Sequence, residues 1–131
     1  MNGQEKAEFL ARELMGWFHP KDDTGEECSD FWISKQENDN TISPYNSKII
    51  PVDYWDPANC IDQALGDRDE GTVEGMMFKR FDMRLHFHRT GDSYVAGFSK
   101  PLSSNHNLNT VASKPAAVIT NAAIVALGGK P

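Results

Sequence analysis

From Met83 to Arg89 the chain alternates, with Leu85 and Phe87 on one side and Arg84, His86 and His88 on the other, the period of a half-buried strand. Thr90, Gly91 and Asp92 then turn the chain into a second strand, Tyr94 to Phe98. This hairpin is expected at the centre of a sheet, and the rest of the chain is read around it. Phe31 to Ile33, Ile49 to Val52 and Thr110 to Ala112 are candidate short strands, the second placed at an edge by Pro51.

Three helix signals flank these strands. Ala7, Leu10, Ala11, Leu14 and Trp17 recur at helical spacing, and Gly16 can end that helix. Asp56 as N-cap and Pro57 at the first helical position open a second helix, with Ala58, Ile61 and Leu65 as its stripe and Gly66 as its stop. Ser113 and Pro115 open a third, which runs to Leu127 before Gly128 and Gly129 and carries Ala116, Ile119, Ala123 and Leu127 on one face. Its alanines allow close packing on a sheet or on a second copy of the chain. Val73 to Phe81 suits either a helical turn or a strand entry, and helix is the preferred reading. His19 to Asp30, Gln36 to Ser47 and Pro101 to Asn109 are polar loops, the second longer than the usual connection. The expectation is an α+β fold: a small, mainly antiparallel sheet with a central hairpin, flanked by three helices in an α/β/α sandwich-like arrangement.

The 131 residues, 39% of them apolar, fit a single domain, residues 1–131, which at this size buries about two-thirds of its unfolded surface. A net charge of −6 argues against direct DNA binding, which needs clustered Lys and Arg to neutralise phosphates. Cys28 and Cys60 are too few for a disulfide scaffold and fit a reducing cytosol. The first 18 residues intersperse Glu5, Lys6, Glu8, Arg12 and Glu13 among the apolar ones, so they lack the apolar run of a signal peptide, and no segment approaches the roughly 18 to 20 apolar residues that span a bilayer. A cytoplasmic protein with no membrane partner is expected.

The chemistry centres on the polar side of the hairpin. His86 and His88 share a side with Arg84, a pattern that can hold a metal or an anion. Asp82, Asp92 and His106 are candidates to complete a metal set, yet two histidines fall short of the three or four protein ligands such sites use, and no metal is expected. The plainest reading is a solvated face. The functional reading is a pocket for a phosphate-bearing small molecule lined by Arg80, Arg84, His86, His88 and Arg89.

Other candidates are weaker. Cys60, in the first turn of the second helix, has a position that could activate a thiol but lies beside the apolar stripe and reads as core. Acidic neighbours disfavour a reactive Cys28. Asp53 and Asp56 read as structural, Asp56 by its capping role. The run Asp67, Arg68, Asp69, Glu70, Gly71 resembles the start of a calcium loop but has no closing Glu. Trp17, Trp32 and Trp55 read as core, with an interface role open to one of them. There is no phosphate-cradling glycine loop and no nucleophile elbow. No catalytic residue and no cofactor is therefore expected, and the protein is read as a binder more than an enzyme.

The succession LARELMGW at Leu10 to Trp17, DYWDPANCIDQAL at Asp53 to Leu65, a hairpin, and SKPAAVITNAAIVALGG at Ser113 to Gly129 resembles the phage ABA-sandwich domain family of small phage and prophage proteins. The resemblance covers most of the chain. Its motifs are helix ends and helix faces, and they speak to fold and origin more than to activity. The chain departs from the pattern in its loops Gln36 to Ser47 and Pro101 to Asn109 and in the segment Gly71 to Phe81. What the resemblance implies is an accessory role in counter-defence. The first version is a sponge that sequesters a nucleotide immune signal, as Thoeris anti-defence proteins do, served by the Arg and His side of the hairpin and an alanine-rich homo-oligomer interface. The alternatives are an inhibitor docking on a host defence complex such as a CRISPR effector (an anti-CRISPR), and a metal-dependent hydrolase of the signal in which His86, His88 and an acid converge.

Overall fold

The computed structural model describes residues 1–35, 47–102 and 108–131. Most of the two long loops, and His106 with them, lies outside these residues. The first helix, α1 (Gly3–Glu13), starts earlier than the apolar spacing indicates because Asn2 and Glu5 form a capping box. Glu5 N–H donates to Asn2 Oδ1 (2.8 Å) and Asn2 N–H donates to Glu5 Oε1 (3.4 Å), which satisfies two of the donors that a helix start leaves open. Gly16 beyond its end takes φ +72°, as expected of a helix stop.

After α1, Phe18 bridges to Ile33, and Asp22 organises the following turn by accepting from Thr24 N–H, Thr24 Oγ1–H and Glu26 N–H. These donors, the Thr24 hydroxyl first, hold the Asp22 carboxyl below its ordinary value. The strands β1 (Phe31–Lys35) and β2 (Ser47–Pro51) then pair antiparallel, placing buried Trp32 opposite buried Ile50. Pro51 closes this ladder at its end, where a missing N–H costs least.

The second helix is where sequence and structure differ most. After a 3₁₀ turn (Val52–Tyr54), α2 spans only Ile61–Ala64, and Asp56 is not its N-cap. The buried Gln63 side-chain amide accepts from Asp56 N–H (2.6 Å) and donates to the Tyr54 carbonyl. One amide thus satisfies two backbone groups ahead of Pro57 and fixes the irregular segment that stands where the longer helix was expected. Asp56 instead accepts from the Asn59 amide at 3.1 and 3.2 Å. The expected stripe fails with the helix: Ala58 is buried, but Ile61 and Leu65 are exposed.

The ambiguous segment is a helix, α3 (Val73–Phe81), which makes a fourth beside the three expected. Thr72 caps it, accepting from Gly75 N–H (3.1 Å) while donating to the Asp69 carbonyl (2.7 Å). Asp82 ends it in the left-handed region at φ +53°.

The hairpin follows as β3 (Arg84–Thr90) and β4 (Ser93–Ser99), joined by β5 (Thr110–Ala112) in the order β3-β4-β5. β4 is therefore central and β3 lies at the edge, while β1 and β2 form a separate two-stranded sheet. The register pairs Leu85 with Phe98 and Phe87 with Ala96, so these four share a face with Thr110 and Ala112. That face receives the last helix, α4 (Pro115–Ala126), which lies on β4 and β5 and also touches α1, α2 and α3. Contact on several sides explains its composition: Ala116, Val118, Ile119, Ala122, Ala123 and Ile124 are all buried, a wider apolar surface than one stripe. The fold is α+β, as expected. Among the described residues no helix is long and apolar enough to cross a membrane.

Among the described residues one buried side-chain polar atom is unsatisfied: the hydroxyl of Thr120, fully buried on α4, has no hydrogen-bond partner there. Thr120→Val keeps the shape and removes the stranded group, so it is expected to raise stability by about 1 kcal/mol. A higher urea midpoint at unchanged slope checks this, and a lower midpoint would contradict it.

A cleft formed by two unpaired arginines

The candidate site is built on the turn before α3. Gly66–Asp69 closes with Asp69 N–H donating to the Gly66 carbonyl (3.0 Å), and both central residues are left-handed, Asp67 at φ +49° and Arg68 at +69°. Such a turn normally uses Asn and Gly, and side chains there cost free energy, so the surroundings must hold it in place. They do so at two points. Arg68 N–H donates to Glu74 Oε1 (3.0 Å), and Gly75 lets the turn sit directly on α3, since a Cβ there would overlap the Asp69 carbonyl oxygen and come within 2.7 Å of the Arg68 carbonyl carbon.

The strained turn presents Arg68 to α3. Its guanidinium stands 4.5 Å from the centre of the Phe78 ring, and that of Arg84, from the start of β3, stands 6.0 Å from the same ring. Both arginines are exposed, and among the described residues neither has a carboxylate partner. Two other cations are ion-paired: Arg12 with Glu8 and Glu27, and Lys79 with Glu70. Leu65, Leu85 and Phe78 supply apolar lining to a cleft of about 470 Å³, which Asp67 and Glu74 line as well.

Of the five residues expected to form one pocket, three share a side of the sheet. Arg84, His86 and His88 face the same way, opposite Ser99, Gly97 and Val95. Within this trio the side chains diverge: His86 Nε2 shares a 2.6 Å hydrogen bond with Ser99 Oγ, whereas Arg84 reaches Phe78. Arg89 falls on the other side, opposite Tyr94, with its Nε donating to the Gly91 carbonyl (3.2 Å), because strand alternation separates odd from even positions. Arg80 lies elsewhere, donating to the Glu13 and Leu14 carbonyls at the end of α1 and lining a different cleft with Met15, Trp17 and Lys48. Arg80 thus satisfies carbonyls at a helix end. Among the described residues no three of His, Cys, Asp and Glu come together as a metal site.

Arg68 and Phe78 were missed by the sequence reading. Arg68 sits in a run that looks like an aborted calcium loop, and no local signal announces that two successive non-glycine residues turn left-handed there. Comparison of the chain with family models, curated proteins and solved structures finds no match.

Proposed function

We propose that this protein acts by binding and that the arginine cleft takes a small phosphate-bearing ligand of the nucleotide class. The observation that carries the reading is the pair of guanidiniums set on one phenylalanine ring, without carboxylate partners among the described residues, in a chain of net charge −6. A guanidinium presents a planar fork that matches phosphate oxygens, and its bonds to ionised acceptors are the strong ones. Phe78, Leu65 and Leu85 offer apolar surface to a base, and the cleft volume falls within the range of small-ligand sites. Held in the cytoplasm of a bacterial host, a phage protein of this kind would serve counter-defence by sequestering a nucleotide signal.

Calorimetric titration of the full chain with ADP and a cyclic dinucleotide tests it. Arg68→Ala and Arg84→Ala are each expected to weaken binding about 10- to 100-fold, the worth of a hydrogen bond to a charged group. Arg84→Lys should recover only part of the loss, because an ammonium lacks the fork. His88→Ala is expected to leave affinity unchanged. Equal affinity in all three arginine variants would remove the cleft from consideration, and loss in His88→Ala alone would return the site to the outer side of the hairpin.

The net charge supports a second reading, in which an acidic surface docks on the basic nucleic-acid-binding face of a defence complex. Co-purification with such a complex that fails at high salt, with no nucleotide bound, would favour it.

A further inference from the structure

A cleft of about 510 Å³ opens between α1, β1 and the Val52–Asn59 segment. We infer that it is a separate binding site, for an organic cation that carries several N–H donors, such as a protonated amine or a guanidinium. Its central feature is His19. The ring is 9% exposed and stacks on Trp32 at 3.7 Å between centroids and 19° between planes. Its Nδ1 lies 2.9 Å from the Phe31 carbonyl oxygen, which can only accept, so Nδ1 carries hydrogen and the uncharged form of the ring has its lone pair on Nε2.

Among the described residues Nε2 has no hydrogen-bond partner, and it is not among the sealed, unsatisfied atoms of the interior. A ring held on both its face and its Nδ1 therefore presents one fixed acceptor to the cleft. Arg12, which also lines the cleft, stands 5.4 Å from the Trp32 ring and is tied to Glu8 (3.2 Å) and Glu27 (3.5 Å).

Besides Arg12, the charged groups that line the cleft are carboxylates. Glu8 and Glu27 share Arg12, while Asp53 and Asp56 have no cationic partner among the described residues, Asp56 being steadied by the Asn59 amide. A neutral nitrogen acceptor and two uncompensated carboxylates call for donors and positive charge. A metal ion fits poorly, since it needs three or four ligands at about 2 Å and no such group exists among the described residues. An extended organic cation can instead touch acceptors spread around the cleft.

The test is a long-range ¹H–¹⁵N spectrum of the histidine rings in the full chain, recorded while agmatine is added and, separately, sodium chloride at matched ionic strength. The expected result is a saturable shift of His19 Nε2 with agmatine and none with salt. In Asp53→Asn/Asp56→Asn, which changes groups at the cleft surface, the affinity should fall at least tenfold. His19→Phe keeps an aromatic ring on Trp32 and should abolish agmatine binding by calorimetry. If that variant does not fold, the carboxamide pair carries the test. Absence of a saturable shift, an affinity unchanged by the carboxamide pair, or stoichiometric zinc binding that excludes agmatine would each overturn the inference. None of these readouts depends on the arginine cleft.

Discussion

Gly75→Ala is expected to destabilise the protein by about 2–3 kcal/mol, the upper part of the range for overpacking. The sign is not the usual one. In a helix, Ala is favoured over Gly by about 1 kcal/mol, and it also narrows the unfolded ensemble. Here the new Cβ would overlap the Asp69 carbonyl oxygen and stand 2.5 Å from its carbon. Those atoms belong to the backbone of a turn, so no rotamer change relieves the contact. The turn cannot simply lift away either, because the Thr72 hydroxyl bonds both the Asp69 carbonyl and Gly75 N–H, joining turn and helix at the same place. Relief requires breaking these bonds or moving Arg68. A second consequence follows: if the turn shifts, Arg68 leaves the Phe78 ring, and nucleotide affinity should drop even at temperatures where the variant is folded. Urea unfolding and calorimetry together check both effects. A variant more stable than the parent would show that the turn is not seated on α3.

How far the sequence carried this description differs from element to element, for physical reasons. The hairpin was legible because alternation has one structural meaning when a turn follows it, and Met83 to Phe98 needed nothing outside itself. The final helix was legible from Pro115 and its flanking glycines, though the breadth of its buried surface depends on the three helices that cover it. The Asp56–Pro57 signal did not open a helix: the segment is held instead by the Gln63 amide, seven residues along, and local propensity gives way to such contacts. Of the residues lining the candidate cleft, Arg84 was named from its strand, and the structure places Arg80 and Arg89 apart from it. One sits on a helix aimed at α1 and the other on the opposite side of the sheet. Arg68 and His19 were hidden for a common reason: each lies in a segment whose composition says only loop, and each gains its role from a residue distant in sequence, Phe78 or Trp32.

Trp55→Ala is expected to cost about 3–5 kcal/mol, the range for emptying a buried aromatic position. Trp55 is 3% exposed, its Nε1–H donates to the Ala7 carbonyl (2.9 Å), and its ring meets Trp17 edge to face at 4.8 Å and 69°. It therefore ties α1 to the segment before α2, where α2 itself, at four residues, is too short to hold by its own hydrogen bonds. Trp55→Phe separates the contributions. The phenyl ring retains part of the apolar contact, and Ala7, lying inside α1, keeps its helix hydrogen bond, so no acceptor is stranded. The loss should then be about 1–2 kcal/mol, a lost hydrogen bond with some unfilled volume. Trp17, being only half buried, should be the less costly of the two to truncate. If Trp55→Phe were as damaging as Trp55→Ala, the indole N–H would be the main tie between α1 and this segment. If both were neutral, Trp55 would not belong to the core.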